Sequence, residues 1–239
     1  MAARTTFPDW IIHEDPNLLV VNKPAGISSL DDRSSPEPSM LSLARKYIAS
    51  AQLCHRLDRE TTGVILIAKN AETYREIAIL FEKRKVSKLY HAVCSCPTNF
   101  DNTSVKLPIR ETKKAIVVID HAGKMAETIF TTLENFRHHS LVQCSPLTGR
   151  MHQIRIHLAS QNASIAGDTM YGGKLTLMSE LKRKYKNSKY EEERPMFRRV
   201  ALHARSIAFT LLEEERYFEA PYPDDMEVFL KLLRKYDKV

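Results

Sequence analysis

Glycine is scarce in this chain, with seven residues in 239. A sequence this sparing with glycine keeps it where the backbone must turn sharply or approach another segment closely. Six of the seven fall within four short stretches, "NKPAG", "RETTG", "PLTGR" and "GDTMYGG". Those stretches are candidate walls of one site. Cysteine is rarer still. Cys54, Cys94, Cys96 and Cys144 include one C-x-C pair but no second pair at zinc spacing, which counts against structural zinc and for reduced, packed thiols. No apolar run approaches the roughly 20 residues of a bilayer-crossing helix. The opening "MAARTTFPDW" lacks the apolar core of a secretory signal. A cytoplasmic protein without a membrane partner is the expectation. Repeats and long low-complexity linkers are also missing, so a single catalytic domain over 1–239, with its core at about 10–236, is expected.

Positive charge is in excess. Lys plus Arg number 36 against 29 for Asp plus Glu, a formal net charge of +7. That balance attracts polyanions without identifying one. The basic residues gather in "EKRKVSK" (82–88), "KRKYKNSK" (182–189) and "FRRV" (197–200), which suggests a phosphate-tracking surface.

The apolar pattern places short strands at "WIIHE" and "LLVVNK" and a helix around "MLSLARKYIA". A buried strand, "VILIA", follows. Tyr74, Ile77, Ala78 and Phe81 then recur at helical spacing along "AETYREIAILFEKRK". Strand-like runs continue through "KLYHAVCS", "AIVVID", "ETIFTTLENF" and "HSLVQCSPL"; "HQIRIHLASQ" reads as a short helix and 174–199 as a polar basic insertion. "VALHARSIAFTLL" is a further strand, and a last helix carries Met226, Phe229, Leu230 and Leu233 on one face. Neighbouring strands interrupted by helices, without strict β-α-β alternation, imply an α+β fold on a mostly antiparallel central sheet flanked by helices.

The densest chemistry lies in "HRLDRETTG" (55–63), where charges crowd the mouth of the "VILIA" strand. A solvated loop is the ordinary reading of such a stretch. The order of the other motifs argues against it. "NKPAG", "HRLDRETTGV", "KLYHAV", "LTGRMHQIRIHLA", "GDTMYG" and "ALHA" follow one another along residues 22–204. Together they resemble the RluA-type pseudouridine synthases, which isomerise uridine to pseudouridine within RNA, and the resemblance spans about residues 17–212.

That resemblance implies a pseudouridine synthase fold with an active-site cleft across the sheet, a ribosomal or transfer RNA substrate, and no cofactor, metal or protein partner. The reaction breaks the N1–C1′ bond, turns the uracil and rejoins it through C5, so nothing is oxidised and no group departs. It needs a carboxylate, as nucleophile or as base. Asp58 matches that aspartate, and both roles stay open. Arg155 matches the arginine that pairs with it, and Tyr90 the tyrosine that stacks on the target base. Arg56 is the candidate to fill the gap left by the extruded base. His55, Lys23, Arg150, His152, Lys182, Arg183 and Lys184 are further expected RNA contacts, and Thr62, Gly63, Asp168 and His203 expected supports.

Three positions depart from the family pattern. Thr62 stands for a usual serine, Met151 for a small hydroxyl residue, and no proline precedes Gly167-Asp168. None touches Asp58, Tyr90 or Arg155. Many relatives carry an added N-terminal RNA-binding module, and none is expected ahead of a core that begins near Trp10. A non-catalytic RNA-binding factor would explain the charge but predicts loss of one of those three residues. A metal-dependent hydrolase built on His55, His152, His157 and Asp168 lacks H-E-x-x-H or similar spacing, since His152 and His157 would not share a helix face.

Overall fold

The computed structural model describes residues 6–31, 37–112, 116–182, 185 and 192–239. In chain order its elements are β1 (Ile11–Glu14), β2 (Leu18–Lys23), α1 (Met40–Tyr47), β3 (Gln52–Leu53), β4 (Thr62–Ala68) and α2 (Ala71–Glu82). Then come β5 (Ser87–Cys94), β6 (Thr103–Glu111), β7 (Val117–Ile119), β8 (Lys124–Asn135), β9 (Ser140–Pro146) and α3 (Gln153–Ser160). The chain finishes with α4 (Met178–Leu181), β10 (Leu202–Leu211), β11 (Glu214–Glu219) and α5 (Asp224–Tyr236). The architecture is α+β. Of the pairings described below, all are antiparallel except β4 with β10.

Within the span read as one catalytic domain, two compact units form. One comprises Met1–Leu89 and His203–Pro221, the other Tyr90–Leu202 and Tyr222–Val239. In the first, β4 lies between β2 and β10, with β1 beyond β2, β11 beyond β10, and β3 beside the end of β4. Every residue of β4 is buried, as its unbroken apolar run requires of a central strand. Leu18, Val20, Val64, Leu66, Ile77, Ile207 and Phe209 build this unit's core.

α2 begins as its residues dictate, with the Asn70 side chain accepting from the Thr73 N–H at 2.9 Å. Its buried stripe is rotated from the expected one. Thr73 and Ile77 are buried while Tyr74 stays exposed. β11 escaped the sequence reading for a local reason. Its two-residue turn, Leu212-Glu213, has both φ values positive (51° and 62°), yet carries none of the Asn, Asp or Gly that signal such a turn.

In the second unit the order is β5-β9-β8-β6-β7, with residues 90–94 of β5 paired to β9. β6 was also missed, since Pro108 and interleaved charges disguise it. α5 buries the expected Met226, Phe229, Leu230 and Leu233. Its acids lie in the first turn and Arg234 and Lys235 in the last, which suits the helix dipole. α3 is also a helix where the sequence placed one. All four cysteines are free thiols. Burial pushes Cys54 up to about 12, and Cys94 and Cys144 also lie well above the ordinary thiol range, which suits inert core sulfur. No helix among the described residues is long and apolar enough to cross a membrane.

Candidate active site

Asp58 sits in the loop between β3 and β4, and that loop is sewn to residues 23–29 by bonds that run mostly from side chains to backbone groups. Lys23 is fully buried, and its ammonium donates to the carbonyls of Pro24 (3.0 Å), Ile27 (2.7 Å) and Arg59 (3.1 Å). An ammonium taken out of water needs such partners, because an uncompensated buried charge costs several kcal/mol. Gly26 N–H donates to the Arg59 carbonyl, and Arg59 Nε returns a bond to the Gly26 carbonyl, both at 2.9 Å. The buried Ser29 hydroxyl donates to Leu57 O at 2.6 Å and accepts from Leu57 N–H at 2.9 Å. The Thr61 N–H closes a turn on the Asp58 carbonyl at 3.1 Å. "NKPAG" and "HRLDRETTG" are thus two halves of one fastening.

Lys23, expected to touch RNA, is fully buried here, and its ammonium braces the loop through these carbonyls. His55, also expected to touch RNA, is partly buried and bonded to the frame. Its Nε2 accepts from Leu66 N–H at 3.1 Å, its ring lies 5.2 Å from that of Phe81, and desolvation, with help from the Lys88 charge, pushes it down to about 3. It is a neutral anchor of the loop. Arg56, next in sequence, is exposed.

Behind the loop, Thr62 and Gly63 run parallel to His203 and Ala204. The Thr62 hydroxyl lies 2.9 Å from His203 Nδ1, and His203 Nε2 lies 3.2 Å from the Ala220 carbonyl. A carbonyl only accepts, so Nε2 carries a proton, and in the singly protonated ring Nδ1 accepts the hydrogen bond of the Thr62 hydroxyl. A serine would serve equally, which makes the Thr62 departure harmless to this bond. Gly63 has φ +110°, and a Cβ there would stand 2.1 Å from the Ala204 carbonyl oxygen. Glycine is obligatory at that approach.

In the second unit, Arg155 is buried on α3 and paired with buried Asp168. Its Nε and Nη2 donate to the two carboxylate oxygens at 2.7 and 2.8 Å. This planar two-point bond fixes the guanidinium in orientation as well as charge. The Tyr171 ring lies 5.0 Å from the guanidinium carbon, where ring and cation attract. The Tyr171 hydroxyl accepts from Val117 N–H at 3.0 Å and meets His152 Nδ1 at 2.9 Å. His152, read as an RNA contact, is thus tied inward; its backbone at φ 52° caps α3 in the left-handed region.

Gln153 holds the preceding "LTGRMH" turn. Its oxygen accepts from the Thr148 hydroxyl at 2.7 Å and Arg150 N–H at 3.1 Å, while its nitrogen donates to Glu127 O at 2.9 Å and Thr128 Oγ1 at 3.0 Å. Sequence reasoning missed Tyr171 and Gln153. Both stand inside quoted motifs, Tyr171 next to Gly172 and Gln153 one turn after Gly149, and that was the available signal. Gly167 itself has φ +79° and faces the Arg199 carbonyl at 2.0 Å from an added Cβ.

Tyr90 is half-buried on β5 opposite Cys144 of β9 and packs on the second unit's core. Arg150 is exposed. Of the basic insertion, Lys182 is exposed with its ammonium 5.6 Å from the Tyr236 ring, while Arg183 and Lys184 lie outside the described residues. His157 is wholly buried, bonded through Nδ1 to Thr128 Oγ1 at 3.0 Å and pushed down to about 4 by burial. Among the described residues no three His, Cys, Asp or Glu side chains converge as a metal site.

Comparison with known proteins places this geometry. The family profile described as RNA pseudouridylate synthase matches residues 17–160. A ribosomal large subunit pseudouridine synthase D from Neisseria meningitidis is 33% identical over 94% of this chain, which spans 61% of that protein. The protein of the same name from Vibrio parahaemolyticus is 30% identical over 94% of this chain, which spans 70% of it. Among solved structures, human RNA pseudouridylate synthase domain containing 4 superposes with a TM-score of 0.75 at 28% identity, covering 95% of this chain and 94% of that one.

Proposed function

The chain belongs to the RNA pseudouridylate synthase family, and from that premise we propose that it is an RNA pseudouridine synthase acting on uridine in large-subunit ribosomal RNA, with Asp58 as the catalytic carboxylate. The names of the similar proteins favour ribosomal over transfer RNA. The observation that carries the catalytic reading is the fastening of the 55–61 loop, which spends a buried ammonium and a buried hydroxyl on holding its backbone still. Positioning at this level is what an aspartate needs to meet C1′, or a proton beside it, in a fixed geometry.

In this reading the enzyme flips the target uridine out of structured RNA, and Tyr90 stacks on the base. Asp58 attacks C1′ or takes a proton as the N1–C1′ bond breaks. The uracil turns, the C5–C1′ bond forms as Asp58 releases C1′ or gives back its proton, and C5 loses a proton while N1 takes one up, so that the product is an isomer. Arg155 supplies the fixed positive charge that suits an ionised carboxylate. Arg56, exposed at the loop's edge, is the residue to fill the vacated stack. The cytoplasm is the proposed place of action.

Pseudouridine mapping of large-subunit and transfer RNA, with and without the gene, tests the substrate. Loss of a single ribosomal modification, restored by wild type but not by Asp58→Asn, is the expected result. Loss confined to transfer RNA would overturn it.

A further inference from the structure

The basic run that ends α2 was singled out by composition and has no part in the reaction described above. Lys83, Arg84 and Lys85 are all exposed. Among the described residues none of the three has an ion-pair partner, and Glu82, the one acid within 82–88, does not pair with them. Three other cations of the same unit do have acidic partners, Lys69 with Glu14, Arg205 with Glu219 and Arg216 with Glu214. The ordinary explanation of a basic helix end is its dipole, which one cation in the last turn would satisfy.

The backbone asks for something other than arginine here. Lys85 N–H bonds to Leu80 O at 2.8 Å and Arg84 N–H to Phe81 O at 3.1 Å, the paired bonds of a Schellman turn. Arg84 occupies the left-handed position of that turn, with φ 56°, where glycine is the usual residue. The chain thus carries a strained cation at a site that glycine would fill without strain, flanked by two more. The turn also adjoins the Asp58 loop, because Phe81 packs on His55 and the Lys88 charge reaches the same imidazole.

We propose that Lys83, Arg84 and Lys85 form a docking surface for the phosphate backbone of an RNA duplex flanking the target uridine. The inference rests on the RNA substrate proposed above and extends it to a surface that the family match leaves unassigned. Duplex is favoured over single strand by composition. The run 82–88 contains no aromatic residue to stack on bases, and Phe81 is occupied by His55. Cations without aromatics read phosphates and the shape of an A-form helix.

The test compares wild type with the triple variant Lys83→Ser, Arg84→Gly, Lys85→Ser and with a control triple, Lys46→Ser, Lys124→Ser, Lys238→Ser, of equal charge change. Glycine at 84 relieves the strained turn, so the patch variant should melt at or above the wild-type temperature and any binding loss is not unfolding. Affinity for a mixed-sequence RNA duplex, roughly 16 base pairs long, is measured against salt. The patch variant should lose about tenfold at low salt and flatten the log–log slope by about 2, close to one unit for each phosphate it no longer neutralises. Its single-turnover rate on a large-subunit RNA transcript at saturating enzyme should change little. A wild-type slope in the patch variant, or an equal loss in the control triple, overturns the proposal. A wild type that forms no pseudouridine in the transcript strikes the enzymatic reading instead, and the duplex measurement still decides the patch.

Discussion

Two regions hold the residues expected to do the chemistry, and they are fastened by different means. Around Asp58 the bonds run largely to backbone: Lys23 gathers three carbonyls, Ser29 grips both polar groups of Leu57, and Gly26 and Arg59 exchange bonds. Around Arg155 the bonds are mostly between side chains, with Asp168, Tyr171 and His152 in a connected set. A backbone-fastened loop keeps its shape under most substitutions of its own side chains. A side-chain network fails wherever one member is lost. The first arrangement suits a short polar residue whose place depends on its loop, the second a long arginine whose head must be aimed.

The largest effect is expected where the comparison is simplest. Asp58→Asn should leave the main-chain fastening intact yet reduce single-turnover pseudouridine formation by roughly a thousandfold or more, in the range seen when an acid–base group is lost. RNA binding should stay near wild type. An active Asn variant would remove Asp58 from the chemistry and leave its loop a mere scaffold.

Asp168→Asn probes the opposite region. It removes one charge of a buried pair and weakens the two-point bond to Arg155, so a stability loss of about 3 kcal/mol is expected from the denaturation midpoint. Lys23→Met should cost less, about 2 kcal/mol, because it removes the charge together with its bonds and leaves carbonyls that water can reach in a loosened loop. If Lys23→Met proves the costlier, the main-chain fastening is the more fragile of the two.

Tyr171→Phe should be milder again. The ring that faces Arg155 survives, while the bonds to Val117 and His152 go, for a loss of about 1 kcal/mol. Tyr171→Leu should cut the single-turnover rate further without a matching fall in RNA affinity. A rate equal to that of Tyr171→Phe would show that the ring does not orient the guanidinium.

A further effect concerns pH and separates the units through the imidazoles of His55 and His157. His55 lies at about 3 and His157 at about 4 in the folded protein, against 6.5 when exposed. Each binds its proton more readily unfolded, so its share of stability is complete above pH 6.5 and drains away as pH falls through the folded values. Melting temperature should fall steadily from pH 6.5 toward 4. His157→Gln should flatten part of that decline. A curve unchanged by it would assign the whole dependence to other groups.

The motifs were legible because each is a short run whose residue types serve one local purpose. Gly63 and Gly167 could be found by their rarity, and α5 by the spacing of Met226, Phe229, Leu230 and Leu233. What was not legible were partners distant along the chain. Lys23 reads as a surface cation in any window of sequence, since nothing nearby reveals that the Arg59 carbonyl will close over it. His152 likewise reads as a polar loop residue until Tyr171 is brought to it. β11 and its turn were hidden for the reverse reason, because their local residues argue against the shape that pairing with β10 imposes.

Apart from β6 and β11, the sequence by itself determined the element types, together with the glycine-marked turns and the family, since periodicity, backbone freedom and ordered motifs are properties of neighbouring residues. Only the tertiary structure decided which charges meet solvent. Burial and hydrogen bonding turned Lys23 and His55 inward as parts of the frame, and left Arg56 and the 83–85 turn outward. A lysine's charge is the same in both settings. Whether it binds a phosphate or a carbonyl depends on which group reaches it first when water is excluded, and that is settled by packing rather than by residue type.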